Sequence, residues 1–197
     1  MQAQTTITSP AGEYYLRGVM ETASGFKLNE DHTFEFFFSY GALDRGGAGS
    51  WEQLGDSIVF NSKAGPSRDY TLVESARKEQ KGMTIRITGG NDYINQYVHA
   101  IVRSGSREQQ GKANQDGLME LPGESADTIE LIFELCPDKS SLFHITYKAH
   151  NYFEFRLEPS ISDVIFTNFK IGLMEGEMKG PHPLAEGETF VYEKAKR

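Results

Sequence analysis

The chain has 197 residues, of which 38% are hydrophobic and 24% charged, and its formal net charge is −8. That balance is globular rather than disordered. The negative charge, with no basic stripe, argues against nucleic acid as the main partner, because phosphate binding works by counterion release onto clustered lysine and arginine.

In chain order, the start Met1-Gln2-Ala3-Gln4-Thr5-Thr6 reads as an initiator methionine placed before a mature, signal-stripped end, which gives an expectation of periplasmic or secreted origin. Period-two patterning then predicts strands at Glu13 to Gly18, Gly25 to Leu28, Thr33 to Tyr40, Ser50 to Gln53 and Ser57 to Asn61. The aromatic run Phe34-Glu35-Phe36-Phe37-Phe38-Ser39-Tyr40 is the strongest of these, since aromatic side chains suit a pleated, half-buried surface. Asn29-Glu30-Asp31-His32, Gly55-Asp56 and Gly65-Pro66 punctuate the strands as turns. Asp44-Arg45-Gly46-Gly47 reads as a flexible hairpin loop with one acid and one base for a protein partner to touch; it lacks the Lys-Ser/Thr ending of a phosphate loop.

Tyr70 to Val73 continues the alternation, and the polar stretch Glu74 to Gly82 is the expected boundary between two domains, 1–80 and 81–197. Its basic cluster, Arg77-Lys78-Glu79-Gln80-Lys81, is diluted by acid and reads as a solvated turn. Further strands are predicted at Met83 to Thr88, Tyr97 to Arg103, Leu118 to Leu121, Thr128 to Leu135, Leu142 to Tyr147, Tyr152 to Leu157, Val164 to Ile171 and Thr189 to Glu193. No amphipathic helical window of any length interrupts them, and no stretch approaches the ~18 to 20 apolar residues of a membrane-spanning helix. The expected fold class is all-β: an antiparallel meander or small barrel followed by a β-sandwich.

The residues Gly12-Glu13-Tyr14-Tyr15-Leu16, Leu28 to Phe34, Gly49-Ser50-Trp51 and Gly55-Asp56-Ser57-Ile58-Val59-Phe60 run strand, acidic turn, aromatic strand, then Gly-x-Trp strand. This half resembles the lipocalin-like, or calycin-like, domains of bacterial envelope proteins, with His32 where the turn usually carries glycine. Met83 to Thr88, Val98 to Val102 and Gln115-Asp116-Gly117-Leu118-Met119-Glu120-Leu121-Pro122 resemble a carboxypeptidase-regulatory-type β-sandwich, a class of noncatalytic accessory module.

Chemistry is sparsely marked. Cys136 is the only cysteine, so an internal disulfide is impossible and a cysteine-built zinc site is unsupported. The five histidines show neither HxxxH nor HxH spacing, no Gly-x-Ser-x-Gly elbow occurs, and neither metal nor cofactor is expected. The first expectation is therefore a noncatalytic protein that binds another protein through loops or a sheet edge. A second is a small apolar ligand held in a calycin-like cavity by Tyr14, Phe34, Phe36, Phe38 and Trp51, against the plainer reading that these rings fill a core. A third is a hydrolase working through His144, Glu154 and Arg156, which requires the three to converge in one concave pocket.

Overall fold

The computed structural model describes residues 9–41, 43–63, 68–90, 92–187 and 189–196; Met1 to Thr6 and the Gly65-Pro66 turn lie outside them. Its elements in chain order are β1 (Gly12–Leu16), β2 (Thr22–Leu28), β3 (Thr33–Tyr40), β4 (Leu43–Leu54), β5 (Ser57–Ser62), β6 (Tyr70–Ala76) and β7 (Met83–Thr88). A one-turn helix α1 (Asp92–Asn95) precedes β8 (Val98–Ser104), β9 (Arg107–Lys112), β10 (Leu118–Leu121), β11 (Thr128–Phe133), β12 (Ser140–His144) and β13 (Tyr152–Leu157). After a 3-10 turn, Pro159–Ser162, come β14 (Phe169–Met174), β15 (Glu177–Gly180) and β16 (Phe190–Lys194). The fold is all-β.

Eight strands close into an antiparallel barrel in the order β1-β2-β3-β4-β5-β14-β15-β16, with β16 hydrogen-bonded back to β1. Every neighbour is the next barrel strand along the chain, so the barrel is an up-and-down meander without a free edge. The chain divides into two compact units, Met1–Gly65 with Ser162–Arg197, and Pro66–Ile161. The second unit is thus an insertion between the fifth and sixth barrel strands. A single break at 80/81 does not describe this arrangement, because three strands of the C-terminal segment complete the barrel.

Alternation places Phe34 and Phe36 inside and Glu35 and Phe37 outside, as the pleat requires. The Asp44 to Gly49 segment, expected as a loop, is instead part of the 12-residue strand β4 and pairs with β3 from Leu43 onward. Its glycines serve close approach rather than a turn. A Cβ on Gly47 would come within 2.6 Å of the Phe166 ring, and one on Gly49 would overlap the Asn61 carbonyl. His32 does occupy a left-handed position, φ 64°, in the turn before β3.

The predicted strand Val164 to Ile171 is divided. Asn168 adopts φ 49°, which breaks the extended chain, and only Phe169 onward joins the barrel as β14. Val164 and Phe166 before it fill the interior, while Ile165 between them is exposed. Val164 donates its N–H to Gly46 O at 2.6 Å, and Phe166 exchanges main-chain and hydroxyl bonds with Ser62 while its ring enters the aromatic core.

The inserted unit holds two four-stranded sheets, β10-β7-β13-β6 and β12-β11-β8-β9. In the first, β13 runs parallel to β7 and antiparallel to β6. Alternate residues Ile85, Ile87, Phe153 and Phe155 of one sheet and Val98, Ala100, Val102, Ile129, Leu131 and Phe133 of the other are buried. The Phe143 and Phe155 rings meet at 4.7 Å between the sheets, the face-to-face packing of a sandwich. The polar stretch expected to be a boundary lies inside this unit. Glu74 to Ala76 belong to β6, and the following turn is gathered by the buried Asn151 side chain, which accepts from Lys78 N–H at 2.8 Å and donates to Gly82 O at 3.1 Å.

Candidate functional site

Within the barrel the rings expected to line a cavity pack on one another. Tyr14, Phe34, Phe36 and Trp51 are buried and Phe38 is partly buried beside them. Phe34 lies 4.8 Å from Phe60 and 5.1 Å from Phe166, Phe36 lies 5.3 Å from Phe166, and Phe26 stacks on Phe60 at 4.7 Å. These are contact separations for aromatic rings, so the rings serve as each other's neighbours. The polar tips are also used. Trp51 Nε1–H donates to Asn29 O at 3.0 Å while its ring stacks on His32, and Tyr14 Oη–H donates to Pro10 O at 2.7 Å. Burial pushes the Tyr14 phenol up to about 12.

Sequence reasoning did not single out a buried polar chain at His182. The loop between β15 and β16 carries this side chain inward, against Phe38, Phe190 and Tyr192. Leu184 N–H donates to His182 Nδ1 at 2.9 Å, so that nitrogen bears no proton. The neutral ring's proton therefore sits on Nε2, 3.2 Å from Ser24 Oγ, and Ser24 donates its own to Phe37 O at 3.0 Å. A nucleophilic serine needs the reverse, an unprotonated Nε2 receiving the hydroxyl proton. Burial pushes His182 down to about 4, which keeps it neutral, and burial also raises the adjacent Tyr192 phenol. The arrangement anchors a loop and does not activate Ser24.

The remaining expected residues are placed as follows. Asp44 is exposed on β4, whereas Arg45 is buried and directs Nη2 toward Asp163 O at 3.5 Å. His144 lies on β12, but Glu154 and Arg156 lie on β13 in the other sheet. Glu154 accepts from the Tyr152 hydroxyl at 3.2 Å and Arg156 donates to Glu158 at 2.9 Å, so the three do not converge. His150 is hydrogen-bonded to Ser75 at 2.8 Å. Among the described residues no group of three or more His, Cys, Asp or Glu side chains is gathered as metal ligands, and no helix is long and apolar enough to cross a membrane.

On the outer face of β9-β8-β11-β12 a shallow depression of about 520 Å³ is bordered by His99, Ile101, Lys112, Ile132 and Glu134. Glu134 accepts from Lys112 at 2.6 Å and meets His99 at 3.1 Å; these two partners hold its carboxyl below the usual range. Arg103 similarly bridges Glu108 and Glu130, each at 2.9 Å. The charges on this face are thus matched among themselves. Such exposed cross-strand pairs contribute little to stability individually.

The feature that stands apart is the free side of β12. Its sequence, Ser140-Ser141-Leu142-Phe143-His144, carries no lysine, arginine, acid or proline. Ile145 N–H donates to Asp127 O at 2.9 Å, one step beyond the Thr128–His144 pair, and this sets the phase of the β11–β12 ladder. In an antiparallel ladder successive residues point their main-chain groups to opposite sides. Ser141, Phe143 and Ile145 therefore address β11, and Ser140, Leu142 and His144 direct N–H and C=O outward. Leu142 is 52% exposed.

The other edges are guarded. β9 presents Arg107, Glu108 and Lys112, β10 is a four-residue strand bearing Glu120, and β6 carries Glu74 beside a register shift opposite Glu154/Phe155. Charges, short length and bulges are the usual devices that keep edges from pairing, and β12 has none but brevity. A partly buried Lys139–Asp69 bridge, 3.0 Å, ties the approach to β12 to the approach to β6, where Leu72 and Val73 are also exposed. An uncharged five-residue run in a chain with 24% charged residues was a visible signal; its edge position was not. No protein-family model matches the chain, and no curated protein or solved structure matches it.

Proposed function

We propose that this is a noncatalytic binding protein that takes an extended strand of a protein partner along the free side of β12. One observation carries the reading: the outward main-chain groups of Ser140, Leu142 and His144 border an uncharged strand with an exposed leucine, while the neighbouring edges are guarded. Strand addition of this kind draws affinity from main-chain hydrogen bonds and selectivity from alternate side chains. The barrel then acts as a scaffold. Its next-neighbour strand order supports the calycin-like resemblance of the N-terminal residues, and its ring-filled interior favours a structural role for Tyr14, Phe34, Phe36, Phe38 and Trp51 over a ligand cavity.

The test is a proline at the seam. Leu142→Pro removes an outward N–H and leaves the bonds to β11 in place, a position where an edge strand tolerates proline. Tagged wild-type chain and the variant are used to capture partners from the native extract, with circular dichroism checking that both fold. Loss of capture by the variant is expected. Equal capture by both removes the reading.

A further inference from the structure

Resting on the edge reading above, we infer that the strand received at β12 is the β12 of a second copy of this chain, paired antiparallel about a two-fold axis through Leu142. The register follows from the direction of the main-chain groups. Placing Leu142 opposite its own counterpart sets Ser140 opposite His144 of the second copy and His144 opposite Ser140. All three are residues whose N–H and C=O face outward, so each forms the narrow hydrogen-bonded type of pair. Shifting the axis by one residue would put Ser141 or Phe143 in a non-hydrogen-bonded pair at the centre and leave two hydrogen-bonded pairs within β12 instead of three.

Side chains and charge agree with that register. Leu142 meets Leu142 on the outer face, and serine meets histidine on either side of it. A two-fold contact sets the axial residue against itself and every other residue i against its symmetry mate j, so a self-pairing edge must place no like charges opposite one another. β12 meets this condition, and the nearest charge across the sheet, Glu130 opposite Leu142, is neutralised by Arg103 at 2.9 Å. Joined in this way, the two four-stranded sheets would form one continuous sheet across the axis.

A five-residue seam belongs with small, transient interfaces of less than ~1,200 Å². The dimer is therefore expected in the micromolar to sub-millimolar range. Because each copy carries a net charge of −8, added salt should strengthen the association by screening long-range repulsion while leaving the uncharged seam intact.

Analytical ultracentrifugation of the full chain over that range tests the inference. Wild type is expected to shift from monomer to dimer, more readily in high salt. Leu142→Lys and Leu142→Glu should each raise the dissociation constant at least about tenfold, since like charges directly opposite oppose pairing. Their equimolar mixture should regain a heterodimer, an outcome that general loss of stability would not produce. Leu142→Cys should cross-link on oxidation, because hydrogen-bonded pairs place Cα atoms about 5.5 Å apart, within disulfide range; the native Cys136 is buried. A chain that stays monomeric throughout, or a dimer that Leu142→Lys leaves unchanged, overturns self-pairing. If the chain is monomeric but Leu142→Pro abolishes capture of a different protein, self-pairing fails while the edge reading stands. If capture is also indifferent to Leu142→Pro, both fail.

Discussion

Phe166→Ala is expected to lower the unfolding free energy by about 3–5 kcal/mol, the range for removing a buried aromatic ring. Phe166 is 3% exposed, and its ring lies 5.1 Å from Phe34, 5.3 Å from Phe36, 5.4 Å from Phe169, 6.0 Å from Phe26 and 6.1 Å from Phe60. Those neighbours stand on β2, β3, β5 and β14, separate strands of one closed barrel. A closed hydrogen-bonded wall cannot fall inward without breaking its ladders, so the void should persist rather than collapse. The cost then belongs toward the upper part of the range. Urea denaturation measures it, and Phe37→Ala, on the outer face of the same β3 and 41% exposed, should cost much less. A second readout is independent of the size of the loss: an apolar cavity of this kind stays dry and admits benzene or xenon. Ligand-dependent stabilisation of the variant, absent in wild type, would show that Phe166 occupies space a small apolar molecule can use. A loss below about 1 kcal/mol would mean that the segment before β14 is not part of the barrel core.

The contrast between Phe36 and Phe166 also shows what could be read from the sequence. Phe34 to Tyr40 announces itself, because strand alternation is a local property and the preceding Asn-Glu-Asp-His turn fixes where it begins. Val164 and Phe166 mimic the same alternation, yet Asn168 turns left-handed and these two side chains become filling for a barrel whose first five strands lie more than a hundred residues earlier. No local pattern carries that distinction. Closure of the barrel has the same character. Tyr14 pairs with Lys194 and Leu16 with Tyr192, contacts that period-two reasoning cannot anticipate and that turn an expected two-part chain into a barrel with an insertion.

Polar composition misleads for a related reason. Glu74 to Gly82 is polar enough to suggest a linker, but Asn151, about seventy residues later, supplies the hydrogen bonds that order the turn. Asp44 to Gly49 has the composition of a loop, while its glycines answer to the backbone of β5 and the Phe166 ring. The uncharged character of β12 was legible. That β12 ends its sheet depends on strand order, which is a property of the whole unit.

Acidification from pH 7 to pH 4 should remove about 3 kcal/mol of stability through His182 alone. In the unfolded chain its imidazole has the ordinary value of 6.5, and in the folded protein burial lowers it to about 4. At about 1.4 kcal/mol per tenfold change in proton affinity, that difference corresponds to about 3 kcal/mol. Between the two values the unfolded state binds the proton and the folded state does not, so stability is full above pH 6.5 and falls as the pH approaches 4. Below that the contribution levels off. The structural cause is specific: a protonated Nδ1 can no longer accept the Leu184 N–H, so the loop between β15 and β16 loses its anchor at the Ser24–His182 chain. Asp31, Asp127, Glu134 and Glu158, whose hydrogen bonds hold them below the ordinary carboxylate range, add acid lability of the same sign. These carboxylates titrate below the window in which the unfolded imidazole first takes up its proton. His182→Gln separates the contributions, since it keeps the carboxylates and removes the imidazole. Denaturation curves at half-unit steps of pH should show the wild type losing stability from about pH 6.5 downward and the variant holding level until the carboxylates titrate. The variant starts from lower stability, but only the difference in slope bears on His182, and parallel slopes between pH 6.5 and 5 would refute the assignment.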